Sequence, residues 1–396
     1  MRFSKRTGWN IEENELARAH RERVAAGLPI ADLTASNPTR CGFAYPEDLL
    51  EPLSSAGAFA YDPDPKGMLA AREAVCQYYA DHGVIVKAGK VILTTSTSEA
   101  YGYLFKILCD PGDSVLVPQP GYPLFDFLAG LEMVGLAPVP LVYDHGWQLD
   151  VGELRREITE KTRALVLVHP NNPTGHFTKL EEAREIAEVC REFGLALIVD
   201  EVFLDYSVES GKQFTESFAA WDLGIPVFVV SGISKICGLP QMKVGWIVAV
   251  GPGTDEALGR LELVADTYLS MNAPVQHALP SWLEERGGIQ RQIRERVREN
   301  LACLDRALVD APDGVVSRLA VEGGWYAVLR IPAVQPDERT VLELLECGVW
   351  VHPGYFFGMA ESGWLVVSLL GQVDEFEAGI QIVLEYVGRN MKGNGF

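Results

Sequence analysis

The chain has 396 residues, enough for two or three domains of about 150 residues each. Its formal net charge of −20 disfavours binding to nucleic acid or to an anionic membrane surface. No apolar stretch approaches the roughly 18 residues that span a bilayer, the first residues lack the apolar core of a secretory signal, and the seven cysteines form no C-x-x-C pair. These features predict a cytoplasmic, multidomain protein without a metal site.

Alternating strand and helix patterns occupy the first two thirds of the chain. A helix is predicted over 11–26, where Gly27 and Pro29 end it. Seven short apolar runs then predict strands: Val91–Thr95, Ser114–Val117, Pro138–Val142, Ala164–Val168, Ala196–Val199, Val227–Val230 and Val244–Val250. The helices predicted between them are Glu99–Leu108, Leu124–Met133, Val151–Ile158 and Leu180–Phe193. Apolar strands joined by helices indicate an α/β domain with a mostly parallel, seven-stranded sheet covered by helices on both faces.

The last third has a different character. A long charged helix is predicted over Gln290–Val309, strands over Gly324–Arg330 and Trp364–Leu370, and a closing helix over Glu375–Val387. This pattern predicts a smaller α+β domain on which the N-terminal helix packs. We therefore expect an N-terminal helix and loop (1–44), a large domain (45–285) and a small domain (286–396).

Polar residues follow consecutive predicted strands, where open α/β sheets bind their ligands. Asn172 comes after one strand, Asp200 after the next, and Lys235 after the third. Each has an ordinary explanation alone, since a turn amide, a capping aspartate and a surface lysine are common. An amide, a carboxylate and an amine in this order indicate a site. No G-x-G-x-x-G or P-loop motif is present, and His169 and His176, seven residues apart across a Pro/Gly loop, make a poor metal site.

These residues give the chain its resemblance to a known family. It resembles the fold-type I pyridoxal-phosphate enzymes, specifically the class I/II aminotransferases related to aspartate aminotransferase. The matching positions run through nearly the whole chain: Tyr61 with Gly67, Ser96-Thr97, Gly121-Tyr122-Pro123, Asn172-Pro173-Thr174-Gly175, Asp200, Ser234-Lys235 and Lys243-Val244-Gly245.

The resemblance implies a role for each matched residue. Lys235 would form an imine with pyridoxal 5'-phosphate and then shuttle a proton, while Asp200 would pair with the pyridinium nitrogen. The expected cofactor-binding residues are Ser96, Thr97, Tyr122, Asn172, Asp200, Phe203, Ser231, Ser234, Lys235, Lys243 and Tyr61. Ser96 and Thr97 would open a helix whose amino end receives the phosphate. Tyr61 would reach the phosphate of a neighbouring subunit, which implies a homodimer with shared active sites.

Four positions depart from the family pattern. Phe203 replaces a tyrosine, Gly232 replaces a phosphate-binding serine, and Lys243 replaces an arginine that would clamp the phosphate. Val366 stands where the family has the arginine that binds the substrate carboxylate. We therefore expect Asn37 and Arg40, in the N-terminal loop, to contact the substrate instead.

The leading hypothesis is an aminotransferase that moves an amino group from an amino donor to a 2-oxo acid in two half-reactions. The alternative on the same fold is a lyase or a cyclising enzyme, such as a β-lyase or a protein like aminocyclopropane-carboxylate synthase. A ligand sensor within a transcription regulator is the third possibility, but it would need an added DNA-binding domain, and the charge of −20 opposes it.

Overall fold

The computed structural model describes residues 1–208, 216–311 and 314–393. The α-helices of these residues are α1 (Glu15–Ala25), α2 (Leu69–Asp81), α3 (Thr97–Leu108), α4 (Phe125–Glu132), α5 (Val151–Glu157), α6 (Leu180–Phe193), α7 (Ile233–Ile236), α8 (Thr254–Tyr268), α9 (Ala273–Glu285), α10 (Gly287–Asp310), α11 (Asp337–Glu346) and α12 (Val373–Gly393). The strands are β1 (Ala31–Asp32), β2 (Val91–Thr94), β3 (Ser114–Gln119), β4 (Gly135–Tyr143), β5 (Trp147–Leu149), β6 (Thr162–Val168), β7 (Ala196–Asp200), β8 (Val227–Gly232), β9 (Gly245–Val250), β10 (Ser317–Arg318), β11 (Tyr326–Arg330), β12 (Val349–Trp350), β13 (His352–Pro353) and β14 (Trp364–Ser368).

The large sheet has the strand order β2-β9-β8-β7-β6-β3-β4-β5. The five strands β8, β7, β6, β3 and β4 run parallel to one another, whereas β9 runs antiparallel to both of its neighbours, β2 and β8. The predicted α/β fold with a mostly parallel sheet is thereby confirmed. The sheet has eight strands in the described residues rather than seven, because the short strand β5 folds back on β4 as an antiparallel edge. Its three residues, Trp-Gln-Leu, are too few to form the apolar run by which the other strands were predicted.

Apolar residues on both sides of the central strands explain why the large sheet lies between two helical layers. In β7, Leu197 and Val199 belong to one core cluster, which includes residues of α2, α6 and α9. Ala196 and Ile198 point the other way, into a second cluster with residues of α3, α4 and α8. Because successive side chains of a strand face opposite sides, a sheet buried on both faces requires uninterrupted apolar strands.

The small sheet consists of β10-β11-β14-β13, all antiparallel. A third core cluster joins this sheet to α10 and α12, and it also includes Leu16 of α1 and Leu33. The strand β1 pairs in parallel with β12, through Ala31 and Val349, so the N-terminal segment contacts the C-terminal third of the chain. These contacts agree with the predicted packing of the N-terminal helix, while the exact division at residues 44 and 285 stays a prediction.

The described helices include none that combines the length and the apolar composition needed to cross a membrane.

Candidate active site

A cavity of about 340 Å³ lies at the carboxyl ends of β6, β7 and β8. The large sheet and its loops supply most of its wall, and Ser36 and Tyr326 close it from the N-terminal segment and the small sheet. The predicted residues that line it are Ser96, Thr97, Tyr122, Asn172, Asp200, Phe203, Ser234, Lys235 and Lys243. The fold thus brings most of the predicted site together, because parallel strands end at one edge of the sheet.

Asp200 is the last residue of β7, and its carboxylate is buried. The Tyr101 hydroxyl donates to Oδ2 at 3.1 Å, and the Val202 amide donates to Oδ1 at 3.1 Å. Burial raises the pKa of this carboxyl to about 6, while these two donors and Lys235 act in the opposite direction. A carboxylate in this environment is stabilised by any cation that enters the cavity.

Lys235 lies in α7, the single helical turn that follows β8. Its Nζ is 5.0 Å from the ring centre of Trp325 and 5.8 Å from that of Phe203. Burial lowers the pKa of the amine to about 8, against the attraction of Asp200. The Tyr206 hydroxyl donates to the Lys235 carbonyl at 2.6 Å and so anchors the turn. Sequence reasoning missed Tyr206 and Trp325, because neither stands in a matched motif and only the fold brings Trp325 to this lysine.

One end of the cavity has the features of a phosphate site. Ser96 caps α3, its Oγ accepting from the Glu99 amide at 3.2 Å, so the amino end of this helix opens at the cavity. Lys243 lines the same cavity and is exposed, and it precedes by two residues Gly245, where an added Cβ would lie within 3.0 Å of the Ser96 and Thr97 backbone. Ser231 is buried, its Oγ has no hydrogen-bond partner in the described residues, and it does not line the cavity, whereas Ser234 does.

The middle of the cavity is bounded by an amide and aromatic rings. The Oδ1 of Asn172 is buried and finds no hydrogen-bond partner within the described ranges. The Tyr122 ring packs edge-to-face on Phe125, with 5.6 Å between the ring centres. Phe203 packs edge-to-face on Trp325 at 4.8 Å. A planar ligand in this space would therefore meet aromatic surface and one unpaired amide.

These groups fit pyridoxal phosphate. Its aldehyde requires an amine, its pyridinium nitrogen an anion, and its phosphate a helix amino end with a nearby cation. Lys235, Asp200, the start of α3 and Lys243 supply these groups around one cavity. The unpaired Asn172 Oδ1 is a further sign of a ligand here, because a buried acceptor is costly unless a donor is present.

Three predicted residues besides Ser231 lie outside this cavity. Tyr61 is 83% exposed and lines a separate cavity of about 240 Å³. Asn37 and Arg40 are exposed, and the Asn37 Oδ1 accepts from the Thr39 amide at 3.1 Å to cap a short 3₁₀ turn. The neighbouring Ser36 reaches the cavity instead. The roles of Tyr61, Asn37 and Arg40 stay predictions.

Val366 lies in β14 and is fully buried. It belongs to an apolar cluster with Leu319, Val328, Phe357 and Met359, against which Tyr326 packs. Position 366 therefore carries an apolar side chain inside the small sheet's core rather than a charge, and it does not line the cavity.

The sequence is similar to a known protein family and to several of its members. A family model described as aminotransferase class I and II matches residues 41–381. The alanine aminotransferase of Mycobacterium tuberculosis is 30% identical over 341 residues, which cover 82% of this chain and 78% of that protein. The glutamate-pyruvate aminotransferase AlaA of Haemophilus influenzae is 30% identical over 371 residues, or 88% and 89% of the two chains.

Solved structures share the fold over almost the whole chain. The alanine aminotransferase of Pyrococcus furiosus superposes with a TM-score of 0.87 at 24% identity, covering 98% of this chain and 100% of that one. A mutant of the aspartate aminotransferase of Thermus thermophilus gives a TM-score of 0.84 at 25% identity, with coverage of 98% and 100%. The likeness thus includes both the large and the small sheet.

Proposed function

The chain belongs to the family of class I and II aminotransferases, and we propose that it holds pyridoxal 5'-phosphate in the Lys235 cavity while it transfers an amino group from an amino donor to a 2-oxo acid. One observation carries the proposal: the half-buried Lys235 and the buried carboxylate of Asp200 line one cavity, beyond the ends of adjacent strands. The relatives' names make L-alanine the first donor to test and pyruvate the first acceptor.

Lys235 has two tasks in this proposal. Its Nζ holds the cofactor covalently and later carries the proton that moves at the substrate's Cα. When bound, the cofactor supplies the sink for the electron pair left at that carbon. A pKa of about 8, lowered by burial, suits both tasks better than that of an exposed lysine, because about a tenth of the amine is already unprotonated at pH 7. Tyr206 supports them by fixing the backbone of the turn that carries the amine.

Asp200 holds the ring-nitrogen proton. Its two oxygens accept from Tyr101 and Val202, so the carboxylate is oriented before a ligand enters. A cation next to this buried carboxylate favours its ionised form, which offsets the effect of burial on its pKa.

The remaining cofactor contacts divide between the phosphate end and the middle of the cavity. The amino end of α3, at Ser96 and Thr97, binds the phosphate together with Lys243, which supplies a single positive charge. In the middle of the cavity Tyr122 covers the ring and Asn172 hydrogen-bonds to it. Phe203 contributes apolar surface alone, since a phenyl ring has no hydroxyl to donate.

A spectral assay tests the proposal. The protein reconstituted with pyridoxal phosphate is mixed with L-alanine, and its visible band is expected to convert to the pyridoxamine band with one pyruvate formed per site. Adding a 2-oxo acid should then restore the first band. Release of ammonia without an acceptor would instead identify the lyase that the sequence left open.

Two variants assign the chemistry to this cavity. Lys235→Ala should abolish turnover, and borohydride reduction of the wild-type holoenzyme followed by peptide mapping should label Lys235. Lys90→Ala is the matched control, because this lysine lies away from the cavity and pairs with Asp255. A label on any other lysine would contradict the proposal.

We also infer a cytoplasmic homodimer. The exposed phenol of Tyr61 supports shared active sites, because it is free to reach a second copy of the chain. The unpaired cysteines support a reducing compartment.

A further inference from the structure

The cavity has cations for the cofactor but none left for a substrate carboxylate. Among the residues that the structure describes, the cationic side chains in its wall are those of Lys235 and Lys243. The first is the proposed attachment point and the second lies at the phosphate end. Val366, where the resembled family has an arginine, is apolar and fully buried, so this position supplies no charge for a carboxylate.

Two hydroxyl groups, those of Tyr326 and Ser36, line the cavity on the side of the small sheet. Tyr326 is the first residue of β11, on the same face of the small sheet as Val328 and Val366, and its ring centre is 6.3 Å from that of Phe357. Ser36 lines the same cavity from the N-terminal segment. The small sheet thus places a phenol beside the apolar position where the resembled family has its guanidinium.

Ser368 fastens the N-terminal segment to this wall. In β14 it lies directly opposite Tyr326. Its amide donates to the Leu33 carbonyl at 2.7 Å, and its hydroxyl donates to the Ala35 carbonyl at 2.5 Å. Ser36 is the next residue, so its position beside Tyr326 is set by two hydrogen bonds to the strand.

Each hydroxyl can rotate to donate a hydrogen bond to a ligand. Burial raises the pKa of the Tyr326 phenol above its usual value, so the phenol stays protonated near neutral pH. Hydroxyl groups form short, strong hydrogen bonds to carboxylates. Two of them at one wall can orient a carboxylate without any positive charge.

We propose that the hydroxyls of Tyr326 and Ser36 bind the carboxylate of the amino donor and replace the arginine absent at position 366. This proposal rests on the proposed function. They are substrate-binding residues that fix the donor's orientation by two hydrogen bonds. Arg40 is then a surface residue without this role.

The test separates carboxylate binding from chemistry. Binding of propionate, an unreactive carboxylate, to the holoenzyme is measured by calorimetry, with propionamide as the uncharged control. Tyr326→Phe and Ser36→Ala are each expected to weaken propionate binding about tenfold or more, as for loss of a hydrogen bond to a charged group. Propionamide binding should change little. KM for L-alanine should rise by a similar factor, with a smaller change in kcat, and turnover of ethylamine should be unaffected.

Matched variants decide between the outcomes. Tyr355→Phe removes the same hydroxyl from a tyrosine that is 43% exposed, and it should behave as wild type. Unchanged propionate binding in both Tyr326→Phe and Ser36→Ala would overturn the proposal, and a loss in Arg40→Ala would reassign the role to that arginine. If the wild-type protein binds propionate but transaminates no donor, the proposed function fails while the carboxylate site stands.

Discussion

Gly232 stands where the resembled family carries a phosphate-binding serine, and the structure leaves no room for a side chain there. A Cβ added at Gly232 would lie 2.6 Å from the Val244 carbonyl oxygen and 3.0 Å from the Cα of Gly245. Both are backbone atoms at the start of β9, which pairs with β8 at this point, so neither can rotate away. Forcing extra atoms into a packed interior costs about 1–3 kcal/mol. Gly232→Ser is therefore expected to destabilise the protein rather than to restore a phosphate ligand.

Urea unfolding of the cofactor-free protein measures this cost, with Gly232→Ala to separate the Cβ from the hydroxyl. Both variants should lose about 1–3 kcal/mol, because the clash belongs to the Cβ. Gly259→Ser is the control, since a Cβ there meets nothing within 4 Å. The dissociation constant of pyridoxal phosphate should not improve in Gly232→Ser. A serine variant with wild-type stability and tighter cofactor binding than the alanine variant would refute the reasoning.

Three further predictions concern the cofactor's surroundings. Phe203→Tyr adds a hydroxyl that can donate to the cofactor's phenolate oxygen, so the pH midpoint of the holoenzyme's visible band should fall. Such a hydrogen bond contributes about 1.5–3 kcal/mol, and one pH unit corresponds to about 1.36 kcal/mol, so the expected fall is about one to two units. A midpoint that does not fall would contradict this. In the cofactor-free protein burial raises the pKa of Asp200 from 3.8 to about 6, so the folded state favours the protonated carboxyl. The free energy of unfolding therefore falls as the pH rises from about 4 through about 6. Above pH 6, the free energy of unfolding that urea denaturation gives for Asp200→Asn should therefore exceed that of wild type by up to about 3 kcal/mol, and the difference should vanish below about pH 4. A difference independent of pH would exclude this cause. If Tyr61 serves the partner's site, mixing inactive Tyr61→Ala and Lys235→Ala proteins should form hybrid dimers with one intact site and recover activity, whereas hybrids without activity would count against shared sites.

The large sheet and the order of the polar residues at its edge follow from local sequence. Apolar runs identified seven of the eight strands that the described part of the chain forms in that sheet: central strands buried on both faces must be apolar throughout, and the partly exposed β4 also carries such a run. Asp200 was found because it directly follows such a run, and Lys235 because it lies in the turn after the next one. The strand β5 was not predicted, because three residues are too few to form a recognisable apolar run and because the strand forms only in a hairpin with β4.

The residues that close the cavity from the other side depend on the folded chain. Ser36 and Tyr326 lie about 290 residues apart; the sequence pointed to the loop after Ser36 but not to Ser36 itself, and nothing near Tyr326 marks it as part of a site. They meet because β11 pairs with β14 in a register that sets Tyr326 opposite Ser368, which in turn holds the segment before Ser36. For the same reason the loop that was expected to bring Arg40 to the substrate presents Ser36 to the cavity, with Arg40 exposed. Strand register and hydrogen bonds between distant segments are properties of the folded chain, and residue type and spacing do not encode them locally.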